Sequence, residues 1–177
     1  MEKMKLNINI VIVLICVLMF LSGIARAALA IIKPTSGSWD QILPASERFV
    51  LVMNGEGVLD KETGLVWENT SDTALRTWTS AIRHCYSHEV GGRKGWHLPT
   101  IEQLSSLVDS TQSNPALPSG HPFNNVQSSP YWSITTDVDD TNGVWGVNFY
   151  NGLMSFNDKV SSYYAWCVRG GESHDYY

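Results

Sequence analysis

Hydrophobic and polar positions change their spacing several times along this chain. An apolar run from Ile8 to Leu21, broken early by Asn9, is followed by a stretch with little periodicity. Residues 28 to about 46 contain Pro34, Gly37, Pro44 and several Ser and Thr, which reads as a lead-in segment. Phe49 to Met53 is a short strand candidate, and Asn54-Gly55-Glu56-Gly57 is a turn. Val58-Leu59-Asp60 and Leu65-Val66-Trp67 flank Lys61-Glu62-Thr63-Gly64, a pattern expected of a β-hairpin with a longer loop.

The period then becomes helical. Trp78, Ala81, Ile82 and Cys85 share one helix face, with Thr77 or Thr79 available as N-cap and Gly91-Gly92 as the stop. Thr100, with Gln103 three residues on, predicts a capping box for a second helix whose apolar face is Ile101, Leu104, Leu107 and Val108. Residues 110–128 are rich in Ser, Asn, Pro and Gly, a long irregular loop of the kind that often carries function. Strand patterns return at Tyr131–Thr135, Val144–Phe149, Leu153–Phe156 and Tyr164–Arg169, with Asn151-Gly152 as a hairpin turn. Short strands, two helices and a closing antiparallel set make an α+β domain with long irregular loops.

The N-terminus changes the picture of the compartment. Lys3 and Lys5, the apolar run and the small-x-small pattern Ala25-Arg26-Ala27 come in the order of a secretory signal peptide. The competing reading is a membrane anchor, but the run is about 14 residues, short of the roughly 20 that span a bilayer. Cleavage after Ala27 is preferred to cleavage after Ala30. The organisation expected is a signal peptide over 1–27, a lead-in over 28–47, a domain over 48–171 and a tail over 172–177. Loss of Glu2, Lys3, Lys5 and Arg26 leaves 9 basic and 16 acidic residues, a charge of −7. That balance argues against a nucleic-acid partner. The expectation is an exported protein in the periplasm, at the cell surface or outside the cell, with no stable membrane span once the signal is removed.

Three cysteines are present, and Cys16 lies within the apolar run. Cys85 and Cys167 therefore remain as a pair, and two cysteines in an exported chain more often form a structural bridge than a reactive site.

Several blocks, in order, resemble a bacterial family long catalogued as of unknown function, the Lcl C-terminal domain, named after the end of a collagen-like adhesin. The blocks are Asp60 with Thr63-Gly64-Leu65-Val66-Trp67, the helix bearing Cys85, Gly95-Trp96-His97-Leu98-Pro99-Thr100 with Glu102 and Leu104, and Tyr131-Trp132-Ser133 with Thr135-Thr136. Trp145, Val147, Phe149, Gly152 and Trp166-Cys167-Val168-Arg169 complete the set, which spans roughly residues 49 to 171. His97 stands where the family often carries Arg. The family is similar in arrangement to C-type lectin-like folds, in which a disulfide joins the first helix to the last strand and an irregular loop region carries ligand contacts. The resemblance implies the same bridge as the cysteine count.

Candidate chemistry is sparse. Asp137, Asp139, Asp140 and Asn142 could supply oxygen ligands to calcium, although their spacing is not that of an EF-hand and a solvated acidic turn is the plainer reading. His84 and His88 stand at i and i+4, a spacing that can support a metal, but they read more simply as surface residues. No cofactor and no metal site is therefore expected, with calcium the alternative. A serine nucleophile elbow is absent, and an oxidase like the formylglycine-generating enzyme would need Cys85 and Cys167 as free thiols. Trp67, Trp132 and Trp166 read as core, whereas His121 and Trp145 are candidates for ligand contact. The sequence thus points to a non-enzymatic recognition module, binding a glycan or protein surface through loops 110–128 and 136–143. A structural or assembly subunit of a surface appendage or envelope complex is the alternative.

Overall fold

The computed structural model describes residues 43–140 and 142–170. The expected signal peptide, the lead-in up to residue 42 and the tail lie outside the described residues. Among the described residues no helix is long and apolar enough to cross a membrane.

The end of the lead-in is structured. Pro44 precedes a one-turn helix, α1 (Ala45–Arg48), which runs directly into β1 (Phe49–Val52). A 3-10 turn (Met53–Gly55) then leads to β2 (Gly57–Asp60) and β3 (Val66–Glu68). Between β2 and β3 the chain reverses because the Gly64 N–H donates to Asp60 O at 2.8 Å, with Gly64 at φ +74°. Asp60 Oδ1 also accepts the Glu62 N–H at 3.0 Å, so one carboxylate holds the loop together.

Helix α2 (Trp78–Ser87) begins at Thr77 and buries Ala81 and Cys85. It stops earlier than Gly91-Gly92, because His88 is already extended at ψ 145°. The two glycines instead form the tip of a separate Val90–Arg93 bridge. Helix α3 (Ile101–Ser105) has the expected capping box: Thr100 Oγ1 accepts the Gln103 N–H, and Gln103 Oε1 accepts the Thr100 N–H. It is shorter than its apolar spacing predicts. The Ser105 and Ser106 hydroxyls donate to Glu102 O and Gln103 O, competing with the helix for those acceptors. Leu107 is still buried, from the turn that follows.

The second half of the domain contains β4 (Pro130–Thr136), β5 (Gly143–Asn148), β6 (Leu153–Asp158) and a short β7 (Val168–Arg169). Two antiparallel sheets result, in the orders β1-β2-β3-β7 and β4-β5-β6. The last strand shrinks from the expected 164–169 because its backbone serves both sheets. The Tyr164 N–H donates to Pro130 O and Tyr164 O accepts the Trp132 N–H, whereas Val168 pairs with Trp67.

Trp166 lies at this crossing point. Its ring meets Trp67, Phe123 and Phe149 edge-on, with centroids 4.9 to 5.7 Å apart. Its indole N–H donates to Glu68 O at 2.9 Å. That main cluster also holds Phe49, Leu104, Tyr131 and Val147. A second cluster, behind the other face of the β4–β5 pair, contains Ala81, Cys85, Trp96, Leu98, Trp132, Val144 and Cys167. Successive residues of a strand point to opposite faces, so Tyr131 and Trp132 feed different clusters. β4 and β5 approach closely at Gly146, where a Cβ would come within 2.5 Å of Tyr131 O. Gly146→Ala should therefore cost about 1–3 kcal/mol. Equilibrium urea unfolding checks this, and an unchanged midpoint would mean that the strands part freely.

Candidate functional site

Strand β6 is the least covered part of the frame. Residues opposite one another in a sheet share a face. Phe156 pairs with Trp145 and Met154 with Val147, and both pairs lie on the side of the main core. That core ends under β5. Met154 and Phe156 consequently remain 57 % and 43 % exposed, and Leu153, on the other face, 63 %. The Phe156 ring crosses Gly143, where a Cβ would fall inside the ring, and meets Trp145 edge-on at 5.8 Å. β6 is also the last strand of its sheet, and among the described residues nothing pairs with its outer edge.

The two loops expected to form one binding surface flank this strand at opposite ends. Loop 110–128 is tied to the β5–β6 turn, with the Asn114 N–H donating to Tyr150 O and the Ala116 N–H to Phe149 O. Loop 136–143 lies at the start of β5, where the Lys159 N–H donates to Asn142 O. Within it, Asp137 and Asp140 accept the Asp139 and Asn142 N–H groups, so these side chains brace their own turns. Asp139, Asp140 and Asn142 are exposed, Asp137 is half-buried, and the carboxylates do not gather around a common point. His121 sits 5.8 Å from the Phe123 ring, and burial lowers its pKa. Trp145 is half-buried beneath Phe156. Its indole and the β6 side chains form one aromatic and aliphatic margin.

A second cluster of reactive groups surrounds the bridge. Cys85 and Cys167 are joined by a disulfide with Cα atoms 5.3 Å apart. The bridge draws the last turn of α2 against the end of β3, because Cys167 lies beside Glu68: the Glu68 N–H donates to Cys167 O, and the Cys167 N–H donates to Glu68 Oε2 at 2.8 Å. Glu68 Oε1 is 2.6 Å from His88 Nε2. Burial pushes the Glu68 carboxyl up to about 7, against the lowering effect of the Cys167 N–H. His84 packs beside His88 with ring centroids 4.8 Å apart. Burial, then the nearby Arg76 and His88, hold its pKa down. Burial favours a neutral Asp72, but two hydrogen bonds from Arg76 and one from the Ala74 N–H outweigh it and lower its pKa.

The histidines are thus not simple surface residues. His84 is half-buried near Glu68 and Asp72, and His88 Nε2 lies 2.6 Å from the buried carboxyl of Glu68. Sequence spacing placed them on one face but could not show Glu68, which looks like an ordinary polar strand end.

A family model, the Lcl C-terminal domain, matches residues 56–169. The chain belongs to the Lcl C-terminal domain family. No curated protein matches it. The residues on which the resemblance was read account for the frame of the domain in physical terms. Asp60 and Gly64 close the β2–β3 loop, and Thr100 caps α3. Ser133 Oγ donates to Trp145 O at 2.6 Å, and Thr135 Oγ1 accepts the Ile101 N–H at 2.9 Å. Arg169, next to the bridge, donates through Nε to Lys94 O. The blocks that carry the resemblance thus build the scaffold of this Lcl C-terminal domain.

Proposed function

We propose that this chain is an exported, non-enzymatic recognition module that binds a partner surface along β6, between loops 110–128 and 136–143. One observation carries the reading. Of the ten exposed large hydrophobics among the described residues, five fall within residues 150–160: Tyr150, Leu153, Met154, Phe156 and Val160. An apolar margin of this density on a charged exported domain is typical of an interaction site. The open edge of β6 favours a protein segment, which could add a strand and seat its side chains beside Met154 and Phe156. A glycan is the second reading, because the Trp145 and Phe156 rings offer faces for sugar stacking. Resemblance to C-type lectin-like folds supports ligand contact through loops, and the signal-like N-terminus supports export.

Met154→Lys and Leu153→Lys place charge on exposed positions and should leave far-UV circular dichroism unchanged. Binding to the partner found by glycan array or envelope-protein pull-down should weaken at least tenfold, the loss of about 1.4 kcal/mol expected when apolar contacts at an interface centre are removed. Unchanged binding would move the site elsewhere. Reproducible turnover of a substrate, abolished by one side-chain change without unfolding, would overturn the non-enzymatic reading. Defined oligomers by light scattering that dissociate in the same variants would favour the assembly-subunit alternative.

A further inference from the structure

The end of β3 and the last turn of α2 bring donor atoms of Glu68, His84 and Cys167 within 4.8 Å of one another, and His88, just past the helix and outside that group, touches Glu68 at 2.6 Å. We propose that Glu68, His84 and His88 form a binding site for a divalent transition metal of the zinc class, with water completing the coordination shell. This site is independent of the β6 margin and of any partner there.

Donor chemistry and placement argue for it together. Two imidazoles and one carboxylate suit zinc, cobalt or nickel better than calcium or magnesium, which prefer all-oxygen shells. Glu68 Oε1 already touches His88 Nε2 at 2.6 Å, and a Glu68 oxygen lies within 4.8 Å of a His84 ring nitrogen. The Cys167 sulfur belongs to the same group of atoms, but its bond to Cys85 removes it as a thiolate ligand.

His84 supplies the second, independent observation. Its Nε2 is buried and makes no hydrogen bond. The nearest acid, Asp72, approaches to 3.5 Å through Oδ2, an oxygen already receiving Nε and Nη2 of Arg76. Buried polar atoms are rarely left in this condition, and a metal ion would satisfy the imidazole lone pair. It would also compensate the buried carboxylate of Glu68, which lies beside the paired rings of His84 and His88.

Zinc holds nitrogen and oxygen ligands at about 2.0–2.2 Å, which separates donors in a tetrahedral shell by roughly 3.4 Å. The Glu68–His88 contact must open by less than about 1 Å, while His84 draws inward. His88 can make most of that adjustment, since it follows the final helical residue and its side chain is about one-third exposed. Glu68 stays in place, held by the β2 and β7 neighbours of its strand and by the Cys167 N–H. Second-shell support of this kind orients a metal-binding carboxylate.

The test uses the full chain, without added histidines, with the disulfide intact and stripped by EDTA. Calorimetry with Zn2+ and visible absorption with Co2+ should both report one bound ion per chain, with a Co2+ spectrum showing nitrogen ligation. His84→Ala and His88→Ala should each weaken binding by at least about tenfold, as even outer-shell changes commonly do. His174→Ala in the tail and His121→Ala in the irregular loop should leave binding unchanged. Glu68→Gln is expected to lose binding too; should it fail to fold, the two helix variants still decide. Lack of stoichiometric Zn2+ binding, or binding that survives both His84→Ala and His88→Ala, would overturn the proposal. So would binding lost on His174→Ala.

Discussion

A variant lacking both Cys85 and Cys167, each replaced by alanine, is expected to unfold about 4.5 kcal/mol more easily than the oxidised domain in the chain-entropy model. The bridge closes a loop of 83 residues counted inclusively, a separation of 82 in sequence, and therefore removes much of the freedom of the unfolded chain. For a domain of this size the change corresponds to a fall in melting temperature of roughly 15 °C. Both sulfurs are fully buried, so a reductant reaches them only when the domain opens. The double variant is therefore the cleaner measurement, and urea unfolding with and without reductant is its companion. A local consequence should accompany the loss of stability. Without the bridge, the end of α2 is no longer tied to Cys167, and His88 should separate from Glu68 before the sheets melt. Hydrogen exchange would then show α2 opening first. An unchanged melting temperature in the double variant would mean that the packing of Trp96, Trp132 and Ala81 holds α2 without help from the disulfide.

The second large effect is expected at the opposite end of the first sheet. Arg48 and Asp60 are 1 % and 0 % exposed, and their side chains meet through Nε–Oδ1 at 2.9 Å and Nη2–Oδ2 at 2.7 Å. Arg48 Nη2 also donates to Ser106 O at 2.8 Å, linking α1 and β2 to the turn after α3. Asp60→Ala leaves a buried guanidinium without its main counter-charge and should cost about 3–5 kcal/mol. Glu62, 3.3 Å from Arg48 Nε, offsets part of the loss and places the expected value at the low end. Arg48→Met combined with Asp60→Asn should cost less than the sum of its single changes, because it removes both charges and keeps an acceptor for the Glu62 N–H. Urea unfolding of the four proteins closes the cycle. A loss under 1 kcal/mol in Asp60→Ala would show that water reaches Arg48 in the folded domain.

These two sites differ in how far they could be read beforehand. The Cys85–Cys167 pair followed from a count, since only one partner remained once Cys16 was assigned to the apolar run. Asp60 was recognisable as part of a motif, but its partner was not. Arg48 was placed at the first position of the domain, beside a segment expected to be lead-in, and nothing local marks it as buried. Similarly, Thr100 and Gln103 announced their capping box because both of its hydrogen bonds act within four residues. The apolar spacing overstates the length of α3, because Leu107 and Val108 continue it although the serines before them have already diverted the helix hydrogen bonds.

The candidate sites were legible in part. Residue type marks Trp145, His121 and the acidic loop, and composition marks the two loops. That they flank one strand at opposite ends, with the apolar margin between them, depends on which strand is last in the sheet. Hydrophobic spacing in Leu153-Met154-Ser155-Phe156 looks the same for a covered and an uncovered strand. His84 and His88 are visible in the sequence as a helical pair, but the acid beside them comes from β3.

Local spacing and simple stoichiometry were enough to determine the α+β order, the start of α3, the start of α2 to a choice between Thr77 and Thr79, the β5–β6 hairpin and the disulfide. Each depends on the periodicity of a short segment, a hydrogen bond between near neighbours, or the number of available thiols. Tertiary structure alone decided that β6 is an open edge, that Arg48 is buried against Asp60, and that Glu68 lies beneath two histidines. Those facts come from contacts that no short segment contains, Arg48 with Asp60 and Ser106, and Glu68 with His88 and the Cys167 N–H, whose energies belong to the assembled core.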